Sequence, residues 1–226
     1  MEERLIWLFG NKLEIIKNKT VLIVGLGGVG SYAIETLVRT CFNKLIIVDN
    51  DTIDITNLNR QLMSNIDNIG KYKTDVWEER IKKINPNCQV IKVTEFITKD
   101  NLTDLFKEKI DYVIDACDTI ETKKELIKYC LQNKIKFISS LGMANRIDAT
   151  KVKFSYLDKT AYDPLAKKLR LLIKKENIKG KIPVVYSEEI PVKSSKLGSV
   201  AHVPATAGLI CTNYIINDIL KGVNYE

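Results

Sequence analysis

Five short apolar runs recur between residues 20 and 141: "TVLIVG" (20–25), "KLIIVD" (44–49), "QVIKV" (89–93), "DYVIDA" (111–116) and "KFISSL" (136–141). They are rich in β-branched residues and read as apolar on both faces, as parallel strands covered on both sides do. Helix-like stretches at 28–41, 72–84, 101–107 and 121–132 separate them. Strand, helix, strand in this order predicts right-handed crossovers and an α/β fold, a doubly wound, Rossmann-like, mostly parallel sheet. Beyond Gly142 the rhythm changes. A strand-like "KVKFSYL" (151–157) precedes a helix opening at Asp163-Pro164, an acid cap followed by proline in the first turn. An extended "IPVVYSEEIPV" (182–192) and a final helix from about Ala205 to Lys221 complete a carboxyl-terminal strand/helix extension. No repeat, low-complexity tract or linker interrupts the chain. Residues 1–226 therefore read as a single domain, with a core at about 20–145 and an extension at about 146–226 packed on it.

Composition adds exclusions. With 226 residues, 45% hydrophobic and 28% charged, the chain suits one soluble α/β domain with an extension. No apolar run approaches the ~18 residues of a membrane span, and "MEERLIWLFGNKLEII" lacks the regions of a signal peptide. The expectation is a cytoplasmic protein with no membrane partner. The five cysteines are scattered without a C-x-x-C pair, which argues for reduced thiols and against disulfides or structural zinc. Cys130 and Cys211 sit in helical apolar patterns and read as core residues. Cys117 stands next to Asp118 and is the one candidate for a functional thiol.

Charge is uneven. Residues 1–150 carry 22 Lys/Arg against 21 Asp/Glu, whereas 151–226 carry 13 against 7. Much of that excess lies in "KKLRLLIKKENIKGK" (167–181), a basic run broken by one acid. On a helix, Leu165, Leu169 and Leu172 would face inward and leave Lys167, Lys168, Arg170, Lys174 and Lys175 outside. Such a face attracts polyanions through counterion release, although a solvated helix face has the same composition.

The chemistry begins at "GLGGVGS". Gly25, Gly27, Gly28 and Gly30 directly follow the first strand, where glycines let the backbone approach a phosphate and the next helix offers free N–H groups. Asp49, ending the second strand, is placed to bind ribose hydroxyls. A nicotinamide reading would stop there and require a catalytic constellation elsewhere; the single histidine, His202, is far from these motifs and reads as a packing residue. The stretch that follows, "VDNDTIDITNLNRQ" (48–61), instead puts amides and Arg60 within one turn of the ribose acid. Lys73 opens the next helix and adds a cation, and "VIDACDT" brings Asp115 and Asp118 to the carboxyl end of the fourth strand, where a carboxylate can hold Mg²⁺. Cations for phosphates and an acid for a metal are the parts of phosphoryl or nucleotidyl transfer. Asp51 and Asp54 have no assigned role beyond solvating their turn.

Four motifs in order, "VLIVGLGGVGSYAIETLVR", "LIIVDNDTIDITNLNRQ", "IGKYKTDVWEERIKKINP" and "DYVIDACDT", resemble the ThiF/MoeB/HesA superfamily of adenylating enzymes over about residues 5–145. The resemblance implies ATP binding by Gly28, Asp49, Asn57, Arg60, Lys73 and Asp118. Asp49 would bind the ribose, Arg60 and Lys73 the phosphates, and Asp118 magnesium. It also implies a homodimer in which Arg4, in "ERLIWLFG", reaches the neighbouring subunit's ATP site. "KTAYDPLAKKLRLLIKKENI", "IPVVYSEEIPV" and "GSVAHVPATAGLICTNYIINDIL" are similar to the tRNA-modifying branch, the threonylcarbamoyladenosine dehydratases. That branch uses ATP to adenylate the threonylcarbamoyl carboxylate and cyclise it, with tRNA as partner. Two other readings stay open here. One is an adenylyltransferase for the carboxyl terminus of a ubiquitin-like sulfur carrier, which implies a sulfur-transfer or carrier-protein partner; the other is a nucleotide-sensing or tRNA-binding module without catalysis.

Overall fold

The computed structural model describes residues 1–221. Seven strands form one sheet in the order β3-β2-β1-β4-β5-β7-β6. They are β1 (Thr20–Val24), β2 (Lys44–Val48), β3 (Gln89–Val93), β4 (Tyr112–Asp115), β5 (Lys136–Ser140), β6 (Val152–Tyr156) and β7 (Pro183–Ser187). All neighbours are parallel except β6, which runs antiparallel to β7 at the edge. The strand order reverses between β1 and β4, and a crevice opens there at the strands' carboxyl ends.

Helices cover both faces. On one lie α3 (Gly28–Arg39), α4 (Lys73–Ile84) and α7 (His202–Lys221), whose Ile34, Leu37, Trp77, Ile81, Ala207, Cys211 and Ile215 form one core cluster with β1 and β2. On the other, α5 (Ile120–Gln132) and α6 (Pro164–Lys175) bury Leu126, Ile127, Ala166 and Leu169 against Leu22, Val113 and Val184. Two short helices, α1 (Glu3–Phe9) and α2 (Lys12–Lys17), precede the sheet. The extension completes this architecture: β6 and β7 continue the core sheet, and α7 lies so close to α3 that a Cβ on Gly208 would stand 2.4 Å from the Val29 carbonyl oxygen.

Some local expectations change. The stretch 101–107 holds a 3₁₀ turn, Leu102–Phe106, whose Leu102 and Leu105 are buried. Strand β3 is at the sheet edge and only partly covered, with Gln89 and Lys92 exposed, because no described strand pairs with its outer side. The extended run 182–192 is a strand only over Pro183–Ser187. The final helix begins at His202 rather than Ala205, since Pro204 falls in the first turn, where the missing N–H has no helical partner. Asp163 caps α6 as its sequence suggests, accepting from Ala166 N at 3.0 Å.

Candidate active site

A cavity of about 1160 Å³ opens over the ends of β1, β2 and β4. Its floor is the turn from β1 into α3. Gly25 has φ +91°, and a Cβ there would stand 2.7 Å from the Ala116 backbone. A Cβ on Gly30 would meet the Gly25 carbonyl oxygen at 1.9 Å, so this glycine allows α3 to leave the sheet at close quarters. Gly27 and Gly28 line the cavity itself. A Cβ on Gly28 would approach Pro204 of α7 at 3.2 Å and the stem of Arg60 at 3.5 Å, narrowing the cavity at the amino terminus of α3.

Asp49 closes one end. Its carboxylate accepts from Leu26 N at 2.7 Å and from Asp51 N at 2.9 Å, which fixes its orientation. Burial raises its pKa, and Lys73 opposes that rise. Lys73 Nζ lies 2.7 Å from Asp51 and 3.8 Å from Asp49, with only 4% of the residue exposed. Lys73 is thus committed to Asp49 and Asp51, a placement its sequence position at the start of α4 did not reveal. Asp51, without a role from sequence, anchors this lysine.

Asp54 also has work that sequence reasoning missed. It caps the 3₁₀ turn Ile55–Asn57, accepting from Thr56 N at 2.8 Å and Thr56 Oγ1 at 2.6 Å. Those hydrogen bonds hold its carboxyl below the usual range. Asn57 returns the cap by accepting from Asp54 N at 3.3 Å. The turn delivers Arg60 over Gly28, where its guanidinium donates to Thr56 O at 2.8 Å and Asn59 Oδ1 at 3.0 Å. Gln61, 5% exposed, lies beside Gly27 with its Oε1 lacking a partner among the described residues. A buried acceptor without a protein partner calls for a ligand or water donor.

The two acids at the end of β4 have separate fates. Asp118 is exposed and lines the cavity. Asp115 is buried and pairs with Lys123 Nζ at 2.8 Å while accepting from Ser139 Oγ at 2.6 Å. Of the two acids that the sequence brings to this strand end, only Asp118 lines the cavity. Lys123 has no exposed surface and also donates to Ser140 O at 2.8 Å and Ser139 Oγ at 3.1 Å. Burial works against its charge, but Asp115 outweighs it and raises its pKa. Sequence reading missed this lysine because nothing in "TIETKKELI" distinguishes the inward one. Cys117 lines the cavity, but burial and the Asp115 carboxylate push its thiol well up, so it stays protonated. Cys130 and Cys211 are buried, with thiols pushed up to about 12.

Beyond β5, Arg146 is buried and spends its guanidinium on Gly142 O, Tyr162 O and Glu189 O. His202 is exposed rather than packed, with Nε2 2.7 Å from Ile147 O. On α6, Lys167, Lys168, Lys174 and Lys175 are exposed as expected. Arg170 is not one of the outward set: it turns inward and donates to Leu157 O at 3.2 Å and Thr160 O at 3.1 Å, because that loop's carbonyls lie beneath the helix. Arg4 is exposed on α1, outside the cavity lining. Among the described residues, no group of three His, Cys, Asp or Glu side chains could hold a metal ion. A magnesium site here fits one carboxylate, Asp118, sharing the ion with nucleotide phosphates, as Mg²⁺ commonly binds.

The sequence profile of the ThiF family matches residues 4–221. The chain belongs to the ThiF family. Within it, the chain is 40% identical to the tRNA threonylcarbamoyladenosine dehydratase of Bacillus subtilis, over 95% of this chain and 92% of that one. The crystal structure of the Escherichia coli tRNA N6-threonylcarbamoyladenosine dehydratase in complex with ATP superposes with a TM-score of 0.91 at 36% identity, covering 96% of this chain and 92% of that one. The E. coli molybdopterin-synthase adenylyltransferase is 30% identical over 64% of this chain and 57% of its own.

Proposed function

We propose that this protein is an ATP-dependent tRNA threonylcarbamoyladenosine dehydratase. The observation that carries the reading is one cavity uniting the glycine turn, Asp49, Arg60 and Asp118 with a second wall built by the segment beyond β5. Likeness over nearly the full length to dehydratases, extension included, favours it over carrier-protein activation. A tRNA substrate also agrees with work in the cytoplasm.

In this reading the polyphosphate lies on Gly27 and Gly28 against the α3 amino terminus, and Asp49 holds the ribose. Arg60 neutralises charge at the phosphates, Lys73 adds its charge beside the ribose acid, and Asn57 shapes the turn that carries Arg60. Asp118 would hold Mg²⁺, which supplies charge neutralisation on the phosphates. The threonyl carboxylate oxygen attacks the α-phosphorus and the bond to pyrophosphate breaks. The carbamoyl group then attacks the activated acyl carbon and gives up a proton. The carbon–oxygen bond to AMP breaks with the former carboxylate oxygen leaving on AMP, and the closed ring is the substrate less the elements of water. Preorganised cations at the departing pyrophosphate contribute several kcal/mol to such a step, about 3 each. The tRNA would be met by Lys167, Lys168, Lys174 and Lys175. The exposed apolar side chains of α1, with Trp7 73% exposed, fit a homodimer contact that would bring Arg4 to the partner's site.

Nucleoside mass spectrometry decides the function. Purified protein with ATP and Mg²⁺ should convert threonylcarbamoyladenosine in tRNA to its cyclic, dehydrated form, and a deletion strain should lack that form. Unchanged nucleosides in both experiments would refute the assignment.

A further inference from the structure

The cavity is larger than one nucleotide requires. Its volume of about 1160 Å³ exceeds the roughly 300–1,000 Å³ of ordinary small-molecule sites, and the glycine turn, Asp49 and Arg60 account for one end only. The other end is built by the loop 142–146, the first turn of α6, and a strap at 190–199 between β7 and α7.

Asn145 shapes that strap. It adopts the left-handed region at φ 58°. Its N–H donates to Gly198 O at 2.8 Å, its carbonyl accepts from Val192 N at 2.7 Å, and its Oδ1 accepts from Gly198 N at 2.6 Å. On the nucleotide side, Asn59 Nδ2 donates to Ser199 O at 2.9 Å. The strap is therefore tied to both ends of the cavity. Leu197 lines the cavity while 85% exposed, so its apolar surface is held out without a partner. Lys193 and Lys196 flank it on the strap and are exposed. Leu165, from the first turn of α6, lines the same lobe and is followed by exposed Lys167 and Lys168. The nearby acids are committed to backbone: Asp163 to Gly142 N and Ala166 N, Glu189 to Ile147 N and Asp148 N. The exposed charges that remain beside Leu197 on the strap and after Leu165 on α6 are these lysines, with the acids Glu95 and Asp118 elsewhere on the cavity lining.

Apolar surface bracketed by lysines suits a splayed-out base with phosphates on either side, since single-stranded RNA is read by packing against base faces and by cations along the backbone. We propose that this second lobe receives the adenine of the tRNA's threonylcarbamoyladenosine. Leu197 and Leu165 pack on the base, and Lys193 and Lys196 meet the flanking phosphates. The threonyl carboxylate then points toward the nucleotide end. The inference rests on the dehydratase reading and adds the base-binding subsite to it.

The test is equilibrium binding of two synthetic anticodon stem-loop RNAs, one carrying threonylcarbamoyladenosine and one plain adenosine, followed by fluorescence anisotropy. Wild type should prefer the modified RNA. Leu197→Asp should weaken the modified RNA by about tenfold, within the range for removing the surface that supports one base, and abolish the preference. Leu197→Met should retain it, and ATP affinity should be unchanged in both. Lys193→Glu with Lys196→Glu should weaken both RNAs alike and reduce their salt dependence. A Leu197→Asp protein that keeps the full preference overturns the subsite, as does wild type that binds both RNAs equally; either leaves the dehydratase reading standing. Wild type that binds neither RNA overturns the subsite and the tRNA reading together.

Discussion

Lys123 and Asp115 meet at 2.8 Å beneath the cavity floor with essentially no exposed surface on either side chain. The pair joins α5 to the end of β4, and Ser139 and Ser140 of β5 complete its hydrogen bonding. Breaking such a pair leaves an uncompensated buried charge. Lys123→Met should therefore cost about 3–5 kcal/mol, whereas Lys123→Met with Asp115→Leu should recover much of that loss. Urea unfolding of the three proteins measures it; equal stability of single and double variants would show that the charges are not coupled.

Asp118 stands three residues from Asp115 but faces the cavity and solvent. Asp118→Ala should leave the melting temperature of the ligand-free protein unchanged and lower turnover by at least about a hundredfold, the usual loss for a group stabilising developing charge. Thermal-shift titrations extend the test to ligand choice. Wild type should be stabilised by ATP with Mg²⁺ and not by NAD, and stronger stabilisation by NAD would sink the ATP reading.

On α6, replacing Lys167, Lys168, Lys174 and Lys175 with glutamine should weaken tRNA binding and flatten its salt dependence, by roughly one unit of slope for each phosphate no longer neutralised. Arg170→Gln should behave differently. Its guanidinium holds the loop at Leu157 and Thr160, so the variant should lose thermal stability before it loses salt slope. Unaltered tRNA affinity in the four-lysine variant would return this face to solvent.

Arg4 sets a test of assembly. If it acts in the partner's site, Arg4→Ala and Asp118→Ala proteins should each be nearly inactive alone. After subunit exchange about half the dimers are hybrids with one intact site, so activity should return to roughly a quarter of wild type. No recovery despite demonstrated exchange would exclude the shared site.

Alkaline pH should expose the buried thiols. Cys88, Cys130 and Cys211 are held at about 12 by burial, whereas unfolded thiols ionise near 8.5. Between these values the unfolded chain has lost protons that the native chain keeps, so stability falls as pH rises, by up to about 1.4 kcal/mol per pH unit per thiol. Unfolding free energies from pH 8 to 11 should show that decline. Replacing Cys130 and Cys211 with alanine should make it shallower.

The sequence by itself determined the parallel core, the glycine turn and the places of Asp49, Arg60 and Asp118 at the strand ends that line the cavity. Periodicity and glycine placement are local properties, and each was written within one or two elements: Gly25 to Gly30 after β1, Asp49 ending β2, Asp163-Pro164 opening α6. Tertiary structure decided direction. Arg170 and Lys175 look alike in a basic run, yet the carbonyls beneath α6 turn one inward. Lys123 and Lys124 are adjacent, but only Lys123 lies over Asp115 and the end of β5. The pairing of Lys73 with Asp51 and the clasp of Asn145 on Gly198 join segments 22 and 53 residues apart. Such contacts arise when the sheet fixes the strand ends and the loops close over them, and the low dielectric of the interior then makes each buried charge accept one partner and one direction.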